Sequence, residues 1–322
     1  MRLLSLVLFI YSSLFSSDIL TSYRLNGIAE LEKTMDKELT SIEYWDSVIK
    51  DKDTSFGYLE SYSNILTCNK EKSTLNLYSI NEKDNFNFRK EYSAYTGKRK
   101  GDKVKEGDLK TPIGIYNITQ RLSKDTKLDP FYGPLAFVTS YPNTYDTYRG
   151  KNGSGIWIHG LPIKQDRDEF TRGCIAINNQ NIECLNKNID ISKTLLIINS
   201  SEVKKDTSKV MMSSILSQLY NWRYAWLYND IDSYLKFYSD KFVRNDGMNI
   251  KTFTTYKSRV FKKIEKKTII FKDINIVPYP NSENVYQITF KEFYKSNTFE
   301  FSGNKILIVT MHDNVMKILT EK

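Results

Sequence analysis

The chain has 322 residues, of which 40% are hydrophobic and 26% charged, and its formal net charge is +9. This length predicts two or three domains, and the apolar fraction excludes a disordered chain. Three Cys and two His exclude a disulfide framework and a Cys/His-rich zinc array, while the positive charge indicates an anionic partner such as a wall polymer, a membrane surface or a nucleic acid.

The first 17 residues have the pattern of a secretory signal peptide. Arg2 gives a short positive start, residues 3–15 form an apolar stretch too short to span a bilayer comfortably, and Ser16-Ser17 supplies small residues for cleavage. A membrane anchor is the alternative. The sequence predicts export to the periplasm.

Residues 18–67 form a predicted helical N-terminal segment. Apolar side chains recur at helical spacing from Ile28 to Ile49, and no Pro interrupts them. About 50 residues rarely fold alone, so this apolar stripe needs a partner. The two alternatives are a homodimer through this segment and docking onto the chain's own catalytic domain.

Two further blocks follow, joined by the polar linker 201–208. Residues 68–200 contain most of the prolines and short β-like runs, and residues 209–322 begin with two predicted aromatic-rich helices between 210 and 242 and continue with longer β-like runs. The predicted strands are 74–79, 113–118, 135–139, 156–158, 194–198, 268–276, 284–294 and 305–311.

Candidate catalytic residues lie in the middle block. A short apolar strand ends in His159-Gly160, and Thr171-Arg172-Gly173-Cys174 follows. A thiolate attacks a carbonyl carbon once a nearby imidazole takes its proton, and the backbone amides beside Gly173 are suited to a developing oxyanion. The alternative is a buried Cys and a structural His that never meet.

The remaining Cys and His have structural interpretations. Cys184 lies in a helix-like stretch and is predicted to be a small core residue, whereas the role of Cys68 stays open, as does a disulfide between the two. His312 is predicted to be structural, because its neighbour Asp313 would point to the opposite face of a strand. No metal or cofactor is predicted.

The motifs of the middle block resemble those of the L,D-transpeptidase (YkuD-type) catalytic domain, in which His-Gly precedes Ser/Thr-x-Gly-Cys. Upstream, Thr96-Gly97-Lys98 and the Thr-Pro-Ile-Gly-Ile-Tyr stretch within residues 107–116 also fit this family. The resemblance implies that Cys174 is the nucleophile, His159 its base and the Gly160 carbonyl the group that orients the imidazole.

The same resemblance implies roles for neighbouring residues. The amides of Gly173 and Cys174 would be oxyanion donors, and Arg172 would hold a substrate carboxylate or simply lie on the surface. Thr171 belongs to this substrate-binding set, and the aromatic residues Trp157, Tyr132 and 141–148 would line the groove or pack. The basic loop 98–105 is predicted to be a solvated hairpin tip, with attraction of an anionic wall peptide as the alternative.

One position departs from the family pattern. Many transpeptidases continue Gly-Cys-Ile/Val-Arg, whereas this chain has Ala176 after Ile175. The missing Arg weakens the prediction of transpeptidation more than that of an acyl-enzyme.

The last block resembles an NTF2-like domain in its opening helices at 219–226 and 230–239. The predicted fold class is therefore α+β multidomain: a helical N-terminal segment, a mostly-β L,D-transpeptidase-like catalytic domain and an α+β NTF2-like cone.

This domain order resembles the helical-cell-shape peptidoglycan L,D-carboxypeptidases of curved and helical Gram-negative bacteria. The resemblance implies removal of terminal D-Ala from stem tetrapeptides containing meso-diaminopimelate. A nucleic-acid partner is not expected, because the basic loop 98–105 has no interleaved aromatic residues and the chain begins with a predicted signal peptide. The alternatives are an L,D-transpeptidase and a non-catalytic wall-binding scaffold.

Overall fold

The computed structural model describes residues 2–163, 168–201 and 207–322, with side chains described from residue 18 onward. The predicted signal peptide, 1–17, and most of the predicted linker lie outside the described side chains. The helices and strands are α1 (Arg2–Glu38), α2 (Ile42–Ile49), β1 (Tyr58–Leu59), β2 (Asn64–Asn69), β3 (Thr74–Ile80), β4 (Phe86–Tyr95), β5 (Gly114–Ser123), β6 (Leu135–Thr139), α3 (Thr144–Tyr148), β7 (Trp157–His159), β8 (Ile175–Ile177), α4 (Asn179–Asn188), β9 (Thr194–Asn199), α5 (Lys209–Leu227), α6 (Ile231–Leu235), α7 (Ile250–Phe261), β10 (Thr268–Pro278), β11 (Val285–Lys295), β12 (Glu300–His312) and β13 (Val315–Glu321).

The middle of the chain forms a closed β-barrel. Its strand order is β2-β3-β4-β8-β7-β6-β5-β9, with parallel pairing between β2 and β9 and between β7 and β8. The first barrel strand begins at Asn64, four residues before the boundary predicted at 68. Strand β8 has only three residues, and it closes the barrel by joining β4 to β7.

The barrel packs against the C-terminal domain through β9. Leu196 and Ile198 face the barrel core, whereas Leu195 and Ile197 belong to the cluster that includes Val277 of the C-terminal sheet. Successive side chains of a strand point to opposite faces, so both faces of β9 are buried and its sequence is apolar throughout. The two domains therefore share a continuous apolar interface.

The C-terminal domain is a five-stranded antiparallel sheet covered by α5, α6 and α7. The strand order is β1-β10-β11-β12-β13, and Trp222 of α5 is fully buried among aromatic side chains such as Tyr234 and Phe271. The predicted α+β multidomain fold class is confirmed: a helical N-terminal segment, a mostly-β domain and an α+β domain follow one another along the chain.

The N-terminal segment docks onto the C-terminal domain, which neither sequence-based alternative named. On α2, Trp45 is 5% exposed, and its ring centroid lies 5.1 Å from that of Tyr220 on α5. The Asp36 carboxylate accepts a hydrogen bond from Arg223 at 2.8 Å, and β1 pairs with β10. Helix α2 and strand β1 are thus parts of the C-terminal folding unit.

The part of helix α1 that precedes Asp36 has an exposed apolar surface. None of the helices in the part of the chain with described side chains is long and apolar enough to cross a membrane. The exposed apolar side chains of α1 are Ile19, Leu20, Tyr23, Leu25, Ile28 and Met35. The predicted homodimer stays a prediction, and this surface is where it would form.

Substitution of Trp45 by Ala should destabilise the C-terminal domain. The indole is buried against α5 and donates through Nε1 to the Leu39 carbonyl at 2.7 Å, so truncation leaves a cavity and an unpaired acceptor. We expect a loss of about 3–5 kcal/mol in the free energy of unfolding, measured by urea denaturation. Tyr23→Ala, at an exposed site of α1, is the control, and equal stability of the two variants would contradict the docking.

Candidate active site

Two neighbouring parallel strands bring His159 and Cys174 together. In the β7–β8 register, Ile158 is opposite Ile175 and His159 is opposite Ala176. His159 is therefore the last residue of β7, and Cys174 directly precedes β8. The imidazole is 1% exposed, whereas the thiol residue is only half-buried, so one side of the pair is open to a substrate.

The His159 ring is held in one orientation by its own strand end. Its Nδ1 lies 2.6 Å from the Gly160 carbonyl oxygen, and a carbonyl only accepts, so this contact places the proton on Nδ1. Nε2 then has a lone pair that can accept a proton. The ring of Tyr132 packs edge-on against the imidazole at 5.1 Å between centroids.

Gly160 is required at this position by close packing. A Cβ there would lie 2.5 Å from Asn179 Oδ1 and 2.9 Å from Pro134 Cδ. The same Asn179 oxygen accepts from the Leu161 amide at 2.7 Å, so α4 fixes the backbone that carries the Gly160 carbonyl. The geometry suits the orienting role predicted for this carbonyl, which stays a proposal.

The loop before Cys174 is closed by the Thr171 side chain. Thr171 Oγ1 accepts from the Gly173 amide at 3.0 Å and donates to the Cys174 carbonyl at 2.7 Å. The Thr171 backbone makes two hydrogen bonds to residues 96–98, the segment that follows β4: its amide donates to the Thr96 carbonyl and its carbonyl accepts from the Lys98 amide. Thr171, predicted as a substrate-binding residue, thus lies 4% exposed and shapes the loop from within.

Gly173 has a conformation that only glycine adopts easily. Its φ is +134°, and a Cβ would approach the Lys110 carbonyl oxygen to 2.9 Å. Its amide donates to Thr171 Oγ1, so it would have to give up that bond to serve the oxyanion of a substrate. The donor role predicted for Gly173 therefore requires a rearrangement of the loop.

Substitution of Thr171 by Val should slow turnover without unfolding the protein. The β-branched shape is kept, but the loop loses two hydrogen bonds and the Gly173 amide loses its acceptor. We expect a loss of about 1–3 kcal/mol in stability and a fall of about tenfold in kcat. Unfolding curves and initial rates measure both effects. Thr171→Ser keeps the hydroxyl and should remain near wild type, and a fully active Thr171→Val would contradict this role.

The Cys174 thiol has a backbone acceptor. Its Sγ lies 3.3 Å from the Gly155 carbonyl oxygen, in the irregular segment that precedes β7. Sequence analysis missed Gly155, because a carbonyl that faces a thiol leaves no side-chain signal. The positive φ of Gly155, +71°, reflects the turn that aims this carbonyl.

Aromatic and basic groups surround the pair. Tyr132 contacts both Trp157 and His159, and burial, followed by the negative charge that Cys174 would carry, raises the pKa of its phenol. Arg172 is exposed on the same side. The structure therefore brings Tyr132, Trp157 and Arg172 to the site, and the carboxylate-binding role of Arg172 stays a proposal.

Other residues predicted near the site lie elsewhere. Tyr145 and Tyr148, in the stretch predicted to line the groove, face the C-terminal domain instead, where Tyr148 donates to the Lys241 carbonyl. The basic loop is not a fully solvated hairpin tip, because Lys103 is buried and pairs with Asp108 at 3.0 Å.

The remaining cysteines and histidine take no part in the site. All three cysteines are free thiols, so the structure shows no Cys68–Cys184 disulfide. Cys68 lies in the barrel core, where burial raises its pKa to about 12, and Cys184 on α4 is half-buried. His312 is exposed at the end of β12.

A separate cavity lies in the C-terminal domain. Its volume is about 550 Å³, and Trp226, Lys257, Glu292 and Lys305 are among the residues that line it. Burial lowers the pKa of Lys257 to about 8. This cavity combines aromatic and charged groups, and none of the residues of the Cys174 site lines it.

Comparison with known proteins identifies both domains. The family model for the L,D-transpeptidase (YkuD) catalytic domain matches residues 63–204, and that for the Cds6 C-terminal NTF2-like domain matches residues 214–322. A comparison with curated protein sequences gave no match.

Solved structures extend the similarity over both domains. Two structures of the helical cell shape determining protein Pgp2 from Campylobacter jejuni, one of them a mutant, are 39% identical to this chain. They cover 89% and 88% of it, with 99% and 100% of their own lengths, at TM-scores of 0.81 and 0.79. Bd1075 from Bdellovibrio bacteriovorus is 28% identical over 84% of this chain and 96% of its own, with a TM-score of 0.66.

Proposed function

Because this chain belongs to the L,D-transpeptidase (YkuD) family and ends in a Cds6-type NTF2-like domain, we propose that it is a periplasmic peptidoglycan L,D-carboxypeptidase. It removes the terminal D-Ala from stem tetrapeptides and leaves tripeptides. Since Pgp2 is a helical cell shape determining protein, we also propose that this trimming controls cell shape.

The proposed reaction has two steps at one sulfur atom. Cys174 Sγ attacks the carbonyl carbon at the L-centre of meso-diaminopimelate, and His159 Nε2 takes the thiol proton and passes it to the leaving amine of D-Ala. Water then attacks the thioester carbonyl carbon and gives one proton to the same nitrogen, which passes it to the departing Cys174 sulfur. The new carboxylic acid loses its remaining proton to solvent and leaves as the tripeptide carboxylate.

The observation that carries this proposal is the His159 geometry. With its proton on Nδ1 toward the Gly160 carbonyl, the imidazole is a base on the side that Nε2 faces. Cys174 directly precedes the adjacent parallel strand and is half-buried, so a peptide carbonyl can reach its sulfur.

The residue at position 176 favours cleavage of the acyl-enzyme by water over its attack by a second amine. Many transpeptidases have Arg there, and in this chain Ala176 is fully buried opposite His159. An acceptor peptide therefore has no guanidinium to bind at this position.

The test is a muropeptide assay with purified protein. Disaccharide tetrapeptide should be converted to disaccharide tripeptide with one equivalent of D-Ala, resolved by chromatography and mass spectrometry. Cross-linked dimers as the sole product would establish the transpeptidase instead. If Cys174→Ala kept the full effect of wild type on muropeptide composition in cells, the protein would be a scaffold; Cys184→Ala is the matched control.

The homodimer is proposed to form through α1. Exposed Leu25 and Ile28 lie on that helix before it reaches the C-terminal domain at Asp36. Deleting residues 18–66 is unsuitable as a test, because it removes α2, β1 and the start of β2. Leu25→Glu with Ile28→Glu, in the full chain, should give a monomer in light scattering, and a monomeric wild type would end the proposal.

A further inference from the structure

A partly buried ion cluster lies beside the C-terminal domain, with Asp146 and Lys151 buried and Asp102 and Arg149 partly exposed. Asp146 is fully buried and pairs with Lys151 and Arg149 at 2.9 Å each, and Lys151 also pairs with Asp102 at 2.6 Å. Tyr116 donates its hydroxyl to Asp146 at 2.8 Å. We call Asp102, Asp146, Arg149 and Lys151 the ion cluster. Such buried charges are stable only while each keeps its partners.

The C-terminal domain supplies one polar group to this cluster. Tyr279, directly after β10, is 2% exposed, and its hydroxyl accepts from Asn143 Nδ2 at 2.9 Å and from Arg149 Nη2 at 3.4 Å. The Arg149 guanidinium also lies 5.3 Å from the Tyr279 ring centroid. A Cβ on Gly114 would lie 2.6 Å from the Tyr279 hydroxyl, so the barrel is shaped around this side chain.

The ion cluster lies at one end of residues 151–156, the segment that contacts the Cys174 thiol. Residues 151–156 are neither helix nor strand, so their course depends on side-chain and loop contacts. Lys151, the first residue of the segment, is held by its ion pairs. The Asn152 side-chain oxygen accepts from the Glu106 amide, and the Asn152 amide donates to the Val104 carbonyl. At the other end, the Ile156 carbonyl accepts from the Thr139 hydroxyl.

Gly155 is the point at which this segment meets the reacting atom. Its carbonyl oxygen accepts from Cys174 Sγ at 3.3 Å. The path from the C-terminal domain to the thiol therefore passes from Tyr279 through Arg149, Asp146 and Lys151 to residues 151–155.

We propose that Tyr279 is a positioning residue, through which the C-terminal domain holds the ion cluster and, with it, the Gly155 carbonyl against the Cys174 thiol. The proposal rests on the proposed function, because it takes Cys174 as the nucleophile. The C-terminal domain is then required for full turnover by the barrel, as well as for whatever its own cavity binds.

The direction of the effect follows from the hydrogen bond. Only the protonated thiol donates to the Gly155 carbonyl, so this hydrogen bond stabilises the neutral thiol and not the thiolate. The other titratable groups around the thiol are His159, Tyr132 and Arg172. Loosening residues 151–156 should therefore favour the thiolate, because the neutral thiol loses its acceptor, while it misplaces the sulfur for attack.

Tyr279→Phe in the full chain tests this directly. The ring packing is kept and only the hydroxyl is lost. We expect kcat to fall about fivefold with KM unchanged within about twofold. The midpoint of the pH curve for alkylation of Cys174 by iodoacetamide, followed by peptide mass spectrometry, should move to lower pH. Opposite changes in turnover and in thiol ionisation are not produced by general destabilisation.

Tyr286→Phe is the matched control. Tyr286 is also a buried tyrosine of the C-terminal domain, and its hydroxyl has no hydrogen-bond partner among residues 18–163, 168–201 and 207–322. It should behave as wild type. The proposal is overturned if Tyr279→Phe leaves both kcat and the alkylation midpoint at the values of this control.

A second variant removes the same connection from the barrel side. If Tyr279→Phe fails to fold, Arg149→Gln tests the same proposal by the same two measurements, kcat and the alkylation midpoint. The Arg149 side chain is 28% exposed. The alkylation curve needs no substrate. If the wild-type protein leaves disaccharide tetrapeptide unchanged, the proposed function fails, whereas the alkylation midpoint still decides the role of Tyr279.

Discussion

Cys174→Ala should lose more than about a thousandfold in the rate of D-Ala release, because no other group at the site can form the thioester. The side chain is half-buried, so its loss should change the free energy of unfolding by less than about 1 kcal/mol. The assay is release of D-Ala from disaccharide tetrapeptide, with thermal unfolding measured on the same sample.

The other two cysteines provide the controls for this prediction. Cys184→Ala should keep wild-type turnover, and Cys68, with its pKa raised to about 12 by burial, should resist alkylation in the folded protein. Alkylation of Cys174 alone should track the loss of activity. Copper ions should also inhibit, whereas EDTA should not; loss with EDTA and recovery with zinc would overturn the thiol mechanism.

His159→Gln should lower turnover by about a hundredfold to ten-thousandfold, since general-base catalysis contributes that much. Gln keeps a polar group near the Gly160 carbonyl but has no nitrogen that accepts a proton. Steady-state rates of D-Ala release from disaccharide tetrapeptide measure the loss.

Stability separates this effect from a packing effect. His159 is 1% exposed, so His159→Ala would also leave a cavity and would lower stability as well as activity. Gln is therefore the more informative variant. His312→Ala, at an exposed site of the other domain, is the control, and a His159→Gln variant with wild-type rates would exclude the imidazole as base.

The predicted strands and helices were those with clear apolar patterns. Strand β6 lies where the sequence placed it, at 135–139, because its side chains are mostly apolar. Strand β4 was missed, since most of it is solvent-exposed and three charged residues interrupt its apolar pattern, and β8 was missed because three residues carry no periodicity. Helix α7 was missed because its polar face breaks the apolar pattern.

For the candidate site, too, the sequence predicted the residues that have a clear local pattern and missed the others. The residues His159, Gly160 and Cys174 stand in short contiguous motifs, so the sequence could name them. Asp146 and Lys151 pair locally, whereas Tyr279 reaches Arg149 across 130 positions of the chain, and nothing in the local sequence of these residues distinguishes them from surface residues. The sequence named Thr171 as a site residue. Its structural role in closing the loop depends on two hydrogen bonds that no motif predicts.

The pairing of β1 with β10 has a consequence for the order of folding. Tyr58 is opposite Ile276, so the N-terminal segment finds its partners only after more than two hundred further residues have been made. All eight barrel strands lie between Asn64 and Asn199, so the barrel can close while the chain is still growing. Helix α2 and strand β1 must wait with their apolar faces uncovered, and this high contact order makes assembly of the C-terminal unit the slow stage.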